Sequence, residues 1–303
     1  MARNIQDERG LLQALLGDGR PFLTFIGLGL ILSGGFALFL SANHHFLPHD
    51  VQFLGMSAEQ LCGINSCRIV YFMFHDRVAF GGALIALGAI YMWLAEFPLR
   101  QGEAWAWWVF VISGLSGFGS FLAYLGYGYL DTWHGVGTLL LLPFFIIGLL
   151  RSHPFLKRPR GIRSLVTPAT RVSWLSSYGL GRALLLATAA GMVAGGLTVM
   201  AVGMTWVFVP QDLEFMGLQP AQLQSISSRL LFCVWCARPS RSLWQILCFS
   251  GLVGFAAAIG VHPVVGYTNL FHLAPAIVGV VIFVVGLVLT YKPLHEQSGK
   301  ALR

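Results

Sequence analysis

Seven apolar stretches, each near the length of a bilayer crossing, alternate along the chain with short polar links. They are Phe22–Ala42, Ile69–Ala95, Trp105–Tyr127, Thr132–Leu150, Ala183–Val207, Leu243–Val261 and Leu270–Tyr291. A bilayer core takes about 20 apolar residues in helix. Each run is rich in glycine and broken by few charges, and none alternates residue by residue as a membrane barrel strand does. The pattern predicts an all-α polytopic bundle of about seven spans. No small-residue cleavage site stands out after the first span, so it reads as an uncleaved anchor.

Composition narrows the class. Of 303 residues, 56% are hydrophobic and 10% charged. Soluble domains carry about 25% charged residues. A soluble enzyme, a disordered chain and a nucleic-acid-binding domain are thereby excluded. The net charge of +7 becomes informative once it is mapped. Residues 151–182 hold Arg151, Lys157, Arg158, Arg160, Arg163, Arg171 and Arg182 and no acid. Short basic loops stay in the cytoplasm. Counting back four spans puts Arg3, Arg9 and Arg20 there too. The expected setting is the inner membrane, with the N-terminus inside and His44–Arg68 and Pro210–Arg229 outside.

Three motifs recur in the same order. Phe46-Leu-Pro-His-Asp-Val-Gln-Phe-Leu-Gly-Met56 matches Phe208-Val-Pro-Gln-Asp-Leu-Glu-Phe-Met-Gly-Leu218 at an offset of 162. Ser113-Gly-Leu-Ser-Gly-Phe118 matches Ser250-Gly-Leu-Val-Gly-Phe255 at 137, and Gly128-Tyr-Leu-Asp-Thr-Trp-His134 matches Gly266-Tyr-Thr-Asn-Leu-Phe-His272 at 138. Offset self-similarity marks a repeated unit. The offsets differ by about one membrane helix. The expectation is two parallel repeats, the second lacking the helix that opens with His75-Asp76-Arg77.

The divisions follow: segment 1–21, first repeat 22–150 with four helices, basic loop 151–182, shortened second repeat 183–291 and tail 292–303. The deletion leaves a conflict. Seven crossings would put the C-terminus outside, yet Arg238, Arg241, Lys292, Lys300 and Arg303 favour the cytoplasm. A short crossing over 221–237 would remove the conflict, though it places Arg229 in the membrane at a cost of about 2.5–3.5 kcal/mol.

Together, Phe-x-Pro-x-Asp-x-x-Phe-x-Gly, His-Asp-Arg-x-x-Phe-Gly-Gly and Gly-Tyr-x-Asp-x-x-His resemble those of a family of internally duplicated bacterial polytopic membrane proteins. The resemblance covers most of residues 20–292 and implies architecture, with no activity attached. The missing second His-Asp-Arg helix departs from that pattern.

Ionisable residues inside membrane helices are functional candidates because burying them is costly. His75, Asp76 and Arg77 lie just inside the outer end of the second span. Asp131 and His134 open the fourth, i and i+3 apart on one face. His262 ends the sixth and His272 opens the last. His44, His45, His49 and Asp50 fill the segment before the second span. Asp76 and Arg77 point away from the His75 face, and Asp131 is the expected partner of Arg77. These groups either pin helix ends to one another or line a ligand site. Imidazole with carboxylate suits zinc, iron or copper. A haem would need facing histidines such as His75 and His134. Because Asn269 stands where Asp131 does, the first repeat is expected to hold the working site.

Cys62 and Cys67 would form a disulfide in an oxidising outer compartment. Cys233-x-x-Cys236 lacks the fold that makes such a motif redox-active, and reads as packing, as does Cys248. The Pro-Asp motif reads as a lid, with Asp50 and Ser57 as helix caps. The leading expectation is an integral membrane protein with an outward His/Asp/Arg pocket that binds or passes a small molecule or ion. The alternatives are a redox or metal enzyme using His75, Asp76, Asp131 and His134, and a non-catalytic subunit packed against other membrane proteins.

Overall fold

The computed structural model describes residues 17–43, 45–125, 132–158, 160–165, 176–205, 213–214, 216–217, 241–265 and 270–300. Their regular structure is helical. In chain order the helices are α1 (Arg20–Ala42), α2 (Pro48–Leu54), α3 (Ala58–Asn65), α4 (Arg68–Leu94), α5 (Ala104–Leu125), α6 (Thr132–Ser152), α7 (Ser177–Thr205), α8 (Arg241–Val265) and α9 (Leu270–Lys300). A π-helical turn, Ala95–Leu99, extends α4 and contains Pro98. Proline has no N–H to give the i−4 carbonyl, and one wide turn absorbs the fault.

Among the described residues, five segments are long and apolar enough to cross a membrane: Arg20–Ala42, Arg68–Leu99, Gly135–Phe155, Ser177–Leu197 and Leu273–Tyr291. The remaining two expected spans fall on α5 and α8, whose described apolar parts are the shorter Ala104–Gly119 and Cys248–Val264. Large apolar side chains cover the outside. Leu139 is 78% exposed, Leu32 64% and Leu197 55%. An apolar surface of that extent suits lipid, since soluble monomers rarely show large contiguous apolar patches.

Helix α4 is the hub, with its largest interfaces to α1 and α8. Against α1 it packs backbone to backbone. A Cβ on Gly27 would stand 2.7 Å from the Gly88 carbonyl oxygen, and one on Gly34 would stand 2.5 Å from that of Gly81. Both glycine pairs are seven residues apart and run in opposite directions, which gives a close antiparallel seam. Small residues permit such approaches in membranes, where burial of apolar surface does not drive helices together. Against α8, Gly82 faces Ala257, and Ser250 Oγ donates to the Ala86 carbonyl at 3.3 Å. α8 is therefore antiparallel to α4.

The bundle has two distinct ends. At the arginine end, Arg20 is 2% exposed and its Nε meets Asp18 Oδ2 at 2.7 Å. Its Nη1 lies 3.6 Å from Glu96 Oε2, and Glu96 Oε1 accepts from Arg100 at 2.9 Å. Trp107 and Trp108 donate to the carbonyls of Leu149 and Arg160 at 3.0 and 2.9 Å. The opposite end carries His75 and His262.

Several contacts recur at fixed spacing. Gly148 sits on Gly19 and Leu23, and Gly286 sits on Gly181 and Leu185. Phe145 lies over Gly114 and 5.3 Å from Phe118, tilted 49°. Phe283 lies over Gly251 and 5.8 Å from Phe255, tilted 50°. Ser152 and Thr290 hydroxyls donate to the carbonyls of Leu149 and Leu287.

Candidate functional site

The histidine end is built by the turns that precede α4. Pro48 opens α2, and Asp50 Oδ2 accepts from the Leu47 N–H at 2.8 Å. Asp50 thus caps its own helix, the reciprocal half of a capping box. Gly55 ends α2 at φ +70°, a conformation costly for other residues. Ser57 begins α3, where its hydroxyl accepts from Gln60 N–H at 3.3 Å while Gln60 Oε1 accepts from Ser57 N–H at 2.8 Å. Cys62 and Cys67 are joined in a disulfide. Ser66 and Cys67 take left-handed conformations, φ 45° and 61°, and turn the chain into α4.

This assembly lies on α4 as a lid. Phe46, Leu54 and Met56 pack on a cluster of Leu61, Ile69, Val70, Phe72 and Phe74. Leu213 and Met216, from the second Pro-Asp motif, join the same cluster. Arg77 fastens the lid. Its guanidinium pairs with the Asp50 carboxylate, donates to the His45 carbonyl at 3.2 Å and lies 5.6 Å from the Phe46 ring centre. Asp50 is therefore the described partner of Arg77. Asp131, expected in that role, lies outside the described residues.

The same end of the bundle carries two buried imidazoles. His75 is 7% exposed and His262 is 2% exposed. Their ring centres are 4.7 Å apart at an interplanar angle of 85°. His75 also stacks on Phe72 at 6.1 Å. Its Nδ1 lies 3.2 Å from Asp76 Oδ1, and since a carboxylate only accepts, the imidazole donates. Although Asp76 was expected to point away from His75, a short side chain one residue on reaches back to it.

Of the candidate residues, His75 and Asp76 meet each other, and Arg77 meets Asp50. His134 and His272 lie in the first turns of α6 and α9, with side chains outside the described set. Cys233, Cys236, Asn269 and residues 221–237 lie outside it as well. Cys248 is a half-buried thiol in α8. The sequence had not paired His262 with His75. The one signal available was that both stand at the same end of their spans. That α4 and α8 adjoin is a long-range fact no local pattern carries. Among the described residues no three His, Cys, Asp or Glu side chains form a metal-binding group.

Among the described residues the fold is thus all-helical, with five helices long and apolar enough to cross a membrane. Comparison with known protein families, with curated proteins and with solved structures finds no match.

Proposed function

We propose that this chain is an inner-membrane protein of two tandem, parallel helical units, with a ligand pocket at its outward end between them. The observation that carries the reading is the buried contact of His75 with His262, residues from the two units, beneath a lid latched by Arg77 and Asp50. Buried polar side chains inside apolar helices are retained mainly where they meet each other or a wet cavity. A small molecule or ion entering from outside is the ligand class this end accommodates.

Duplication is supported by contacts as well as by motifs. The Gly148 and Gly286 contacts are related by the same spacings, 162 and 138, that relate the sequence motifs. The Phe145 and Phe283 contacts repeat at 138 and 137. In α4 the first unit has a helix for which the second shows no motif.

Helix directions bear on the crossing number. α9 runs antiparallel to α8, and α7 antiparallel to α9, because Gly251 and Phe255 meet Phe283 and Gly279, and Gly181 meets Gly286 and Thr290. α7 therefore ends at the histidine end, where Met216 also packs, while α8 starts at the arginine end. The described residues on either side of 218–240, Gly217 and Arg241, thus stand toward opposite ends of the bundle. We read this as an eighth crossing, which puts both termini and every basic tail residue in the cytoplasm and removes the charge conflict.

Asp76, with a side chain 39% exposed, is the probe for the pocket. In a variant with Cys233, Cys236 and Cys248 replaced by Ser, Asp76→Cys is expected to react with a small charged thiosulfonate added outside intact cells. Reaction only after permeabilisation would contradict an outward pocket.

A further inference from the structure

One more run recurs, at the arginine end, and it carries a cation in each copy. Gly17-Asp18-Gly19-Arg20 matches Gly179-Leu180-Gly181-Arg182 at an offset of 162. The packing repeats with it. A Cβ on Gly19 would stand 2.8 Å from the Arg151 Cβ, and one on Gly181 would stand 2.8 Å from the Leu289 Cβ. Arg182 thus takes the place on α7 that Arg20 takes on α1. The surroundings of the two differ. Arg20 has Asp18 at 2.7 Å and Glu96 at 3.6 Å. Leu180 stands where Asp18 does, and the helix that ends in the Glu96 turn has no counterpart motif. Residues 132–211 and 215–295 contain no acid. Among the described residues no carboxylate pairs with Arg182. Its side chain is half-buried at the end of an apolar span, where a guanidinium without a counter-ion is costly.

Resting on the tandem-unit reading, we propose that an anionic phospholipid headgroup, from the leaflet at the arginine end, gives Arg182 the negative charge that Asp18 and Glu96 give Arg20. Depth fits a lipid. Arg182 is five residues into α7, about 7.5 Å along the axis, and arginine keeps its head at the interface from such a depth. Its planar fork matches two phosphate oxygens. The neighbours fit as well. Leu180 is half-exposed, and a Cβ on Gly181 would meet the methyl of Thr290, the residue before the half-exposed Tyr291. An apolar side chain and an interfacial tyrosine suit the boundary between headgroup and acyl chain. Arg151, Lys157 and Arg158 are exposed and attract the same lipids at longer range.

The test uses the full chain in a neutral detergent, stripped of lipid. Phosphatidylglycerol, phosphatidylcholine and inorganic phosphate are titrated in turn, and binding is read by native mass spectrometry. Wild type is expected to prefer phosphatidylglycerol to phosphatidylcholine, with no displacement by inorganic phosphate. Arg182→Ala weakens phosphatidylglycerol binding about fivefold, the worth of one basic residue at a membrane surface. Arg158→Ala, in the exposed loop, weakens it less. Should Arg182→Ala fail to fold, Tyr178→Glu places a carboxylate one turn before Arg182, an i, i+4 pair on one helix face, and is expected to cause a similar loss. Wild type without a preference, equal losses for Arg158→Ala and Arg182→Ala, or displacement by inorganic phosphate would overturn the lipid site. Absence of the preference with Asp76→Cys still labelled from outside removes this inference alone. A preference that depends on Arg182, with Asp76→Cys unreachable from outside, removes the outward reading instead.

Discussion

Arg77 shows how much one side chain holds at the histidine end. It meets the carboxylate that caps α2, the carbonyl of His45 and the face of Phe46. Asp50 has a side chain only 7% exposed. Removing the guanidinium leaves that carboxylate buried without its counter-ion, which costs about 3–5 kcal/mol. Arg77→Ala should therefore melt well below wild type in detergent. Arg77→Lys should fall between them, because lysine restores the charge without the planar fork. Equal melting of Arg77→Ala and wild type would show that the lid is held by its apolar contacts alone. Some of this was legible in the sequence. Ser57 three residues before Gln60 is a capping pattern, and Asp50 after Pro48 is another. The partner of Arg77 was not legible, because choosing between Asp50 and Asp131 requires knowing how the lid folds back.

At the scale of helices, the α1–α4 seam depends on the absence of side chains. Gly34 approaches the Gly81 backbone, whereas a Cβ on Gly35, one residue on, would meet nothing within 4 Å. Gly34→Val is expected to cost about 1–3 kcal/mol by overpacking. Gly35→Ala should change stability by less than about 0.5 kcal/mol. Thermal unfolding of the two variants side by side checks both, and equal losses would mean the seam is not tight. Topology is tested on the same elements. Cysteine at Ser164, in the basic loop, and cysteine at Ala301 should both label only after permeabilisation. Cysteine at Glu59 in α3 should label in intact cells. External labelling at Ala301 with Ser164 protected would remove the eighth crossing. The apolar runs announced the helices, because helix is the form in which a lone segment satisfies its own backbone in lipid. They could not supply the directions of α7 and α8, which rest on contacts more than a hundred residues apart.

For the molecule as a whole, the two units proposed above would meet through a clasp of α4 and α8, which pack together at the histidine end. The repeated motifs pointed to the units, and the matched spacings of Gly148 with Gly286 agree with them. The sequence also led to the expectation that the first unit alone would hold the site. His75 of α4 lies against His262 of α8, so a site at this contact would draw on both proposed units. The clasp can be measured directly. The closest approach is Gly82 to Ala257. A Cβ on Gly82 would stand 2.3 Å from that of Ala257, closer than the about 3.5–4.5 Å of a disulfide, so cysteines at these two positions should join under mild oxidation once the two helices move slightly apart. A protease site placed in the loop 151–182, with Cys233, Cys236 and Cys248 changed to Ser, separates the units for analysis. After cleavage, Gly82→Cys/Ala257→Cys is predicted to leave the two fragments linked on a non-reducing gel, while Gly35→Cys/Ala257→Cys lets them part. Fragments that part in both variants would contradict the clasp, and with it the shared site.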